Sequence, residues 1–239
     1  MCGRFVSASP PEEIGKYFDT ADVAEKLLEP SYNVAPTNDV YVVTEDGGTR
    51  RLDAYHWGLV PFWAKSPAAG SKMINARAET IAEKNAYRRP FAKRRCIIPA
   101  DGFYEWKKIP GQKTKQPYFI TRRDEEPLAF AGIWEIWRGP DKAKEKDAPE
   151  QLRSCTIITT SANDTMAPIH DRMPVILPAS KWDEWLDPGN DDTAALGELL
   201  VPAPPTLLRL QPVSTEVNNV RNQGPHLMDP IDPEDAEAD

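Results

Sequence analysis

Apolar residues in this chain come in short runs of strand length, broken by proline, glycine and charge. Val40–Val43 and Leu52–Trp57 are two such runs, and Asp46-Gly47-Gly48 between them is a hairpin signal. Met73–Arg77 reads as a strand feeding a helix near Thr80–Lys84. A series of strands follows: Cys96–Ile98, Gly102–Lys107, Tyr118–Thr121, Leu128–Trp137 and Cys155–Thr160, with a turn around Pro110-Gly111. Pro174–Leu177 and Leu207–Gln211 complete the set. Helical signals are brief. Ser9-Pro10-Pro11-Glu12 has the form of a capping box with proline in the first turn and predicts a helix through Phe18. A basic helix is expected over Ala86–Arg94, interrupted by Pro90. Ser180 is placed to cap a helix through Leu186, which Asp187-Pro188-Gly189 ends. Arg138–Leu152 is polar and reads as an exposed loop.

With strands dominant and no internal repeat, the pattern predicts an α+β fold. It is a β-rich single domain of mainly antiparallel strands, curled into an open barrel, with short peripheral helices. Residues 1–228 form this domain, and residues 229–239 form an acidic, disordered tail.

Composition narrows the function classes. The chain has 239 residues, 40% hydrophobic and 28% charged, as soluble domains do. No apolar run approaches the roughly 20 residues that span a bilayer. MCGRFVSASP lacks the apolar stretch of a secretory signal, so no membrane partner and a cytoplasmic location are expected. A monomer is expected. The three cysteines suit neither a disulfide framework nor a zinc site, so no metal and no cofactor are expected. Cys96 and Cys155 read as buried structural thiols. A net charge of −8 argues at first against nucleic acid, but Lys65–Arg123 carries 15 Lys and Arg against four acids. A basic centre suits a phosphate backbone, although a solvated helix face over Arg88–Arg95 would look the same.

Cys2 is the chemical centre of interest. Loss of Met1 would leave one residue bearing both a free α-amine and a thiol, which titrate near about 8 and 8.5. Amine and sulfur on adjacent carbons can both add to one aldehyde, first as an imine and then as a five-membered thiazolidine. Taken alone, Cys2 reads first as a small buried residue near a terminus, and only its context shifts that reading. Gly3 beside it allows close approach to the backbone, and Arg4 suits a phosphate.

Six motifs in order add to this: MCGRF at the start, YNVAP (Tyr32–Pro36), INARAET (Ile74–Thr80), ADGFYEWK (Ala100–Lys107), HDRMPVIL (His170–Leu177) and VNNVRNQG (Val217–Gly224). Together they resemble the SOS response-associated peptidase family, whose members sense and process abasic sites in single-stranded DNA. The resemblance implies a covalent crosslink between Cys2 and the ring-opened abasic sugar. It implies that Asn75 hydrogen-bonds at the crosslink, that Glu105 transfers protons and that His170 assists ring opening. It implies that Arg4, Asn33 and Arg77 hold the DNA backbone or frame the pocket. Trp63, with Phe62 beside it, matches an aromatic wedge at a strand–duplex junction. The implied partner is single-stranded DNA with abasic sites, in DNA damage repair and the SOS response. Implied activities are a peptidase-like removal of Met1 and a weak lyase side reaction.

The residues support these roles in part. A carboxyl group and an imidazole can move the proton that opens a cyclic hemiacetal. Glu105 sits among aromatics on a strand, although it could instead pair with Lys107. Asn75 and Arg77 face one side of a strand; alternatively Asn75 forms a turn and Arg77 pairs with Glu79 or Asp101. His56 and His226 read as structural. Lysines at 107, 108, 113 and 115 and the Arg88–Arg95 helix would make binding salt-dependent. VNNVRNQG reads as a structured loop supporting the core. Two other classes stay open: an amidohydrolase with Cys2 as N-terminal nucleophile, and a noncatalytic single-stranded-DNA binding module.

Overall fold

The computed structural model describes residues 2–23, 25–139 and 151–232. Twelve strands are formed among these: β1 (Phe5–Ser7), β2 (Ser31–Val34), β3 (Asp39–Asp46), β4 (Thr49–Trp57), β5 (Asn75–Arg77), β6 (Arg95–Ala100), β7 (Gly102–Lys107), β8 (Gln116–Arg122), β9 (Leu128–Trp137), β10 (Leu152–Ser161), β11 (Arg172–Pro174) and β12 (Leu208–Pro212). Four short helices lie between them: α1 (Pro11–Phe18), α2 (Arg88–Lys93), α3 (Trp182–Leu186) and α4 (Thr193–Glu198).

The first sheet runs β12-β8-β7-β1-β2. In the second, β10 pairs with β4, β4 with β3, β3 with β6, β6 with β9, and β9 returns to β10. The expected β-rich α+β class holds, and the curl goes further than an open barrel, because this ring closes. Its strands are apolar on both faces. One face packs Tyr41, Val43, Leu52, Ile97, Ala131 and Ile158 against Phe18, Trp182 and Trp185 of the helices. The other packs Val40, Tyr55, Trp57, Ile98, Phe130 and Ile157 against Phe5, Phe103 and Ile120 of the first sheet. Phe5 meets Trp57 edge-on at 5.0 Å and Phe130 at 6.1 Å, contacts worth about 1 kcal/mol each beyond area burial.

Gly132 explains one narrow point of the ring. A Cβ there would lie 2.9 Å from Cys96 Sγ and 3.1 Å from the Thr156 carbonyl oxygen, so a side chain at this position would push β9 against both β6 and β10.

Local expectations fail where a tertiary partner competes. Ser9 does not cap α1. The Asp101 carboxylate accepts from the Ala8 N–H at 2.6 Å, the Ser9 N–H at 3.1 Å and the Ser9 hydroxyl, so Pro10 becomes the N-cap. The helix expected near Thr80–Lys84 is a chain of turns. Only Ile81 is buried there, and one apolar residue cannot anchor a helix. The strand expected at Pro174–Leu177 ends at Pro174 and continues only as a bridge between Ile176 and Phe130. The start of the expected disordered tail is ordered. Pro230 bridges Val213, and the Ile231 N–H donates to the Pro212 carbonyl at 3.0 Å. Residues 233–239, and 140–150 of the expected Arg138–Leu152 loop, lie outside the described residues. No described helix is long and apolar enough to cross a membrane.

Candidate functional site

Cys2 enters the core because the chain just after it is a strand. β1 pairs with β7 through Phe5 and Phe103, and the Tyr104 N–H donates to the Arg4 carbonyl at 2.9 Å. This antiparallel register lays residues 2–4 alongside Glu105. Alternation along β7 turns Phe103 and Glu105 to one face and Tyr104 to the other. Phe103 and Cys2 share one apolar cluster, and Tyr104 belongs to another. Cys2 is fully buried and Glu105 is 3% exposed. Burial, and then the Glu105 charge, push the Cys2 thiol well above its ordinary range and keep it protonated at neutral pH.

Asn75 reaches the same place from the opposite sheet. β5 runs parallel to β10, pairing Asn75 with Ile157 and Arg77 with Thr159. The Asn75 Nδ2 group donates to the Cys2 carbonyl at 2.9 Å. Its Oδ1 is buried and accepts no hydrogen bond among the described residues.

His170 sits on the connection from β10 to β11. The His170 N–H donates to the Met166 carbonyl at 3.0 Å, and Met166 and Met173 belong to the Cys2 cluster together with Ile74. His170 Nδ1 accepts from the Arg172 N–H at 3.0 Å, which places the proton of a neutral ring on Nε2. When the ring is charged, Nδ1 can instead donate to Asp171, whose carboxylate is 2.8 Å away. Arg172 ties this segment down: its guanidinium bonds both Glu79 oxygens, at 2.5 and 2.9 Å, and the Thr159 carbonyl at 2.6 Å. The Arg172 pairing holds the Glu79 carboxyl below its usual range.

Arg4 and Asn33 form the wall. Arg4 Nη1 donates to Asn33 Oδ1 at 2.8 Å and to the Val217 carbonyl at 3.0 Å, and its guanidinium lies over Trp106 at 5.6 Å. Asn33 is 1% exposed, and its Nδ2 donates to the carbonyls of Val217, Asn219 and Asn222. Asn33 is thereby committed to pinning the VNNVRNQG loop. Burial lowers the Arg4 pKa.

An open cleft of about 570 Å³ leads to Asn75, lined among others by Trp63, Arg77, Lys84, Asn85 and Tyr87. Arg77 is exposed. The partners considered for it from sequence are engaged elsewhere, Glu79 with Arg172 and Asp101 with Ser9. Phe62 and Trp63, 52% and 58% exposed, form the tip of a loop anchored on both sides. The Gly58 N–H donates to Cys155, the Val60 N–H to Ser154 Oγ at 2.8 Å, and Trp137 Nε1 to the Ala64 carbonyl at 2.7 Å. Gly58, at φ +135°, lies back to back with Gly70, whose oxygen would be 2.6 Å from a Cβ at 58. This approach seats the 3₁₀ turn at Pro67–Lys72 beside the loop.

Cys2, Asn75 and Glu105 are thus brought together, His170 stands on a segment packed into the same cluster, and Trp63 and Arg77 line the approach. Sequence reasoning missed Tyr87, which lines the cleft and donates to the Asn75 carbonyl at 3.4 Å, and Arg172. Tyr87 carries no spacing signal inside a basic run; Arg172 stands in the HDRMP motif beside His170. Among the described residues no cluster of His, Cys, Asp or Glu could hold a metal ion.

Comparison with known proteins gives one consistent result. The family model described as SOS response associated peptidase (SRAP) matches residues 1–220. "Abasic site processing protein YoqW" of Bacillus subtilis is 44% identical over 230 residues, covering 96% of this chain and 99% of that protein. "Abasic site processing protein HMCES" of Xenopus tropicalis is 32% identical, covering 95% of this chain and 78% of that one. The crystal structure of a Bacteroides thetaiotaomicron protein superposes with a TM-score of 0.83 at 25% identity, covering 96% of this chain and all of that one.

Proposed function

This chain belongs to the SOS response associated peptidase family, and from that premise we propose that it captures abasic sites in single-stranded DNA through Cys2. The observation that carries this reading is the convergence of Cys2, Asn75 and Glu105 from two sheets. Met1 lies outside the described residues. Its hydrolytic removal exposes the Cys2 amine.

Glu105 and His170 move a proton between ring oxygen and anomeric hydroxyl, opening the abasic sugar to its aldehyde. The Cys2 nitrogen attacks the aldehyde carbon, and water leaves with a proton from one of these groups, forming the imine. The sulfur then bonds to the imine carbon while its proton passes to the imine nitrogen. This closes the thiazolidine without free thiolate, which suits a thiol held protonated. Asn75 fixes the Cys2 carbonyl and so the direction in which the residue presents amine and sulfur. Trp63 stacks on a base, and Arg77 with the basic centre takes phosphates. An imine that does not close can eliminate the 3′ phosphate, which accounts for weak lyase activity. An amidohydrolase mechanism leaves Glu105, His170 and the basic cleft without roles.

The test mixes the protein with uracil-containing single-stranded DNA and uracil glycosylase. A denaturation-resistant protein–DNA species should form with the native protein and be absent with Cys2→Ala. Intact mass should show the active form without Met1. Crosslinking at full rate with methionine retained overturns the proposal.

A further inference from the structure

At Thr159, β10 is flanked by two short strands that carry different parts of the site. On one side β5 pairs Arg77 with Thr159 and Asn75 with Ile157. On the other β11 pairs Pro174 with Thr159, and His170 stands just before that strand. Each of these strands has three residues, so its ladder alone fixes it weakly. A side-chain bridge joins them across β10. Glu79, in the 3₁₀ turn at Ala78–Thr80 that follows β5, takes both Nη groups of Arg172, at 2.5 and 2.9 Å. Arg172 Nη2 also donates to the carbonyl of Thr159, the residue between the two strands, at 2.6 Å. The Arg172 Nε is buried without an acceptor among the described residues, so the guanidinium is turned toward Glu79 and Thr159 at the expense of a donor.

Glu79 is half exposed, and an ion pair open to water adds little to stability. What the pair fixes is placement. The Arg172 N–H donates to His170 Nδ1 at 3.0 Å, so the residue held by Glu79 is also the one that sets the proton of the neutral imidazole on Nε2. The competing partner for Nδ1 is the Asp171 carboxylate, 2.8 Å away, whose side chain is 87% exposed. We propose that the Glu79–Arg172 pair is a positioning clamp: it locks the His170 segment to the strand that carries Asn75 and holds the His170 ring in one tautomer. The clamp also spends the Arg172 charge internally, in contrast to exposed Arg77, whose charge is left for phosphate. The inference rests on the Cys2 reading proposed above and adds two residues that act on it through His170.

Crosslinking rate is measured at saturating abasic single-stranded DNA. Affinity is measured separately, by fluorescence anisotropy with a tetrahydrofuran abasic analogue, which cannot ring-open. Glu79→Ala should slow crosslinking about tenfold, the scale of a small misplacement of a reacting group. Its affinity for the analogue should hold or tighten, and the slope of log affinity against log salt should grow by about one as Arg172 is released to meet a phosphate. Arg172→Lys cannot fork onto two oxygens and should slow crosslinking similarly. Glu79→Ala/Arg172→Lys should be no slower than the slower single variant, because the two residues act as a unit. Glu79→Gln, which keeps one acceptor oxygen, should recover part of the rate. The chain has three histidines, so NMR of nitrogen-labelled histidine at about pH 8, where imidazole is ordinarily neutral, can follow the His170 ring directly, with His170→Ala identifying its signal. Native protein should show the Nε2–H tautomer and Glu79→Ala a mixture. The inference is overturned if Glu79→Ala crosslinks at the native rate, if it loses affinity in proportion to rate, or if its His170 signal keeps the native tautomer. Native protein that forms no crosslink, while Glu79→Ala still shifts the tautomer, would instead overturn the Cys2 chemistry alone.

Discussion

Arg95 and Asn75 both place polar atoms inside the fold, and their surroundings differ in kind. Arg95 is 3% exposed and spends all five N–H donors on carbonyls: those of Trp185, Phe91, Ala92, Asp187 and Asn190. It closes the ends of α2 and α3 onto β6. Asn75 spends its amide nitrogen on Cys2 and leaves a buried oxygen without a donor among the described residues. Beside it a buried thiol faces a buried carboxylate. A saturated cluster is structural and has no bond left to offer a ligand. An unsaturated one costs stability, and folds keep such sites where chemistry needs them.

The comparison breaks most sharply on a pair of substitutions. Cys2→Ala should lower crosslink yield more than 1,000-fold by denaturing gel, while urea denaturation shows a stability change of only about 1 kcal/mol. Arg95→Ala should do the reverse. Five carbonyls lose their donor, and stability should fall by about 3–5 kcal/mol, with crosslinking per folded molecule preserved. If Arg95→Ala leaves the urea midpoint in place, the structural reading of that cluster is wrong. Asn75→Ala should slow crosslinking by about 10- to 100-fold, or roughly 1.4–2.7 kcal/mol of activation. Its urea midpoint should move little, since the one hydrogen bond lost, to the Cys2 carbonyl, is offset by removal of a buried oxygen without a donor among the described residues; a larger loss of stability than of rate would erase the distinction between the clusters.

A further effect is pH-dependent. Cys2, Cys96 and Cys155 are fully buried, and burial raises each thiol above the ordinary value of 9.0. The fold then holds these protons more tightly than the unfolded chain. Stability from the thiols is intact below pH 9 and falls above it, by up to about 1.4 kcal/mol per pH unit for each thiol. Melting temperatures between pH 7 and 10.5 should show the decline, and Cys2→Ala should make it shallower. A flat alkaline profile would mean that the Cys2 thiol is not enclosed as described.

Much of the fold was legible from local pattern. The β3–β4 hairpin follows from Asp46-Gly47-Gly48, and β7, β9 and β10 lie where the apolar runs placed them. β1 and β2 went unread because three or four residues are too few to show a period. The Ser9 cap was misread because Asp101, 92 residues away, outbids the helix for its hydroxyl. At the site, the short motifs named Cys2, Asn75, Glu105 and His170. They could not show that Asn33 serves the loop at Val217–Asn222 or that Arg172 clamps Glu79, since both depend on contacts across more than 90 residues.

The sequence by itself determined which segments become strands, which short motifs carry a thiol, a carboxyl and an amide, and that positive charge is concentrated in the middle of the chain. These follow from residue type and from spacing over a few positions. Only the tertiary structure decided that the ring closes through β9 and β10, that β5 runs parallel to β10, and that the amino-terminal strand threads Cys2 between Glu105 and Asn75. Each of these is a pairing of distant backbone, settled by which buried faces fit together, and no local spacing encodes that choice.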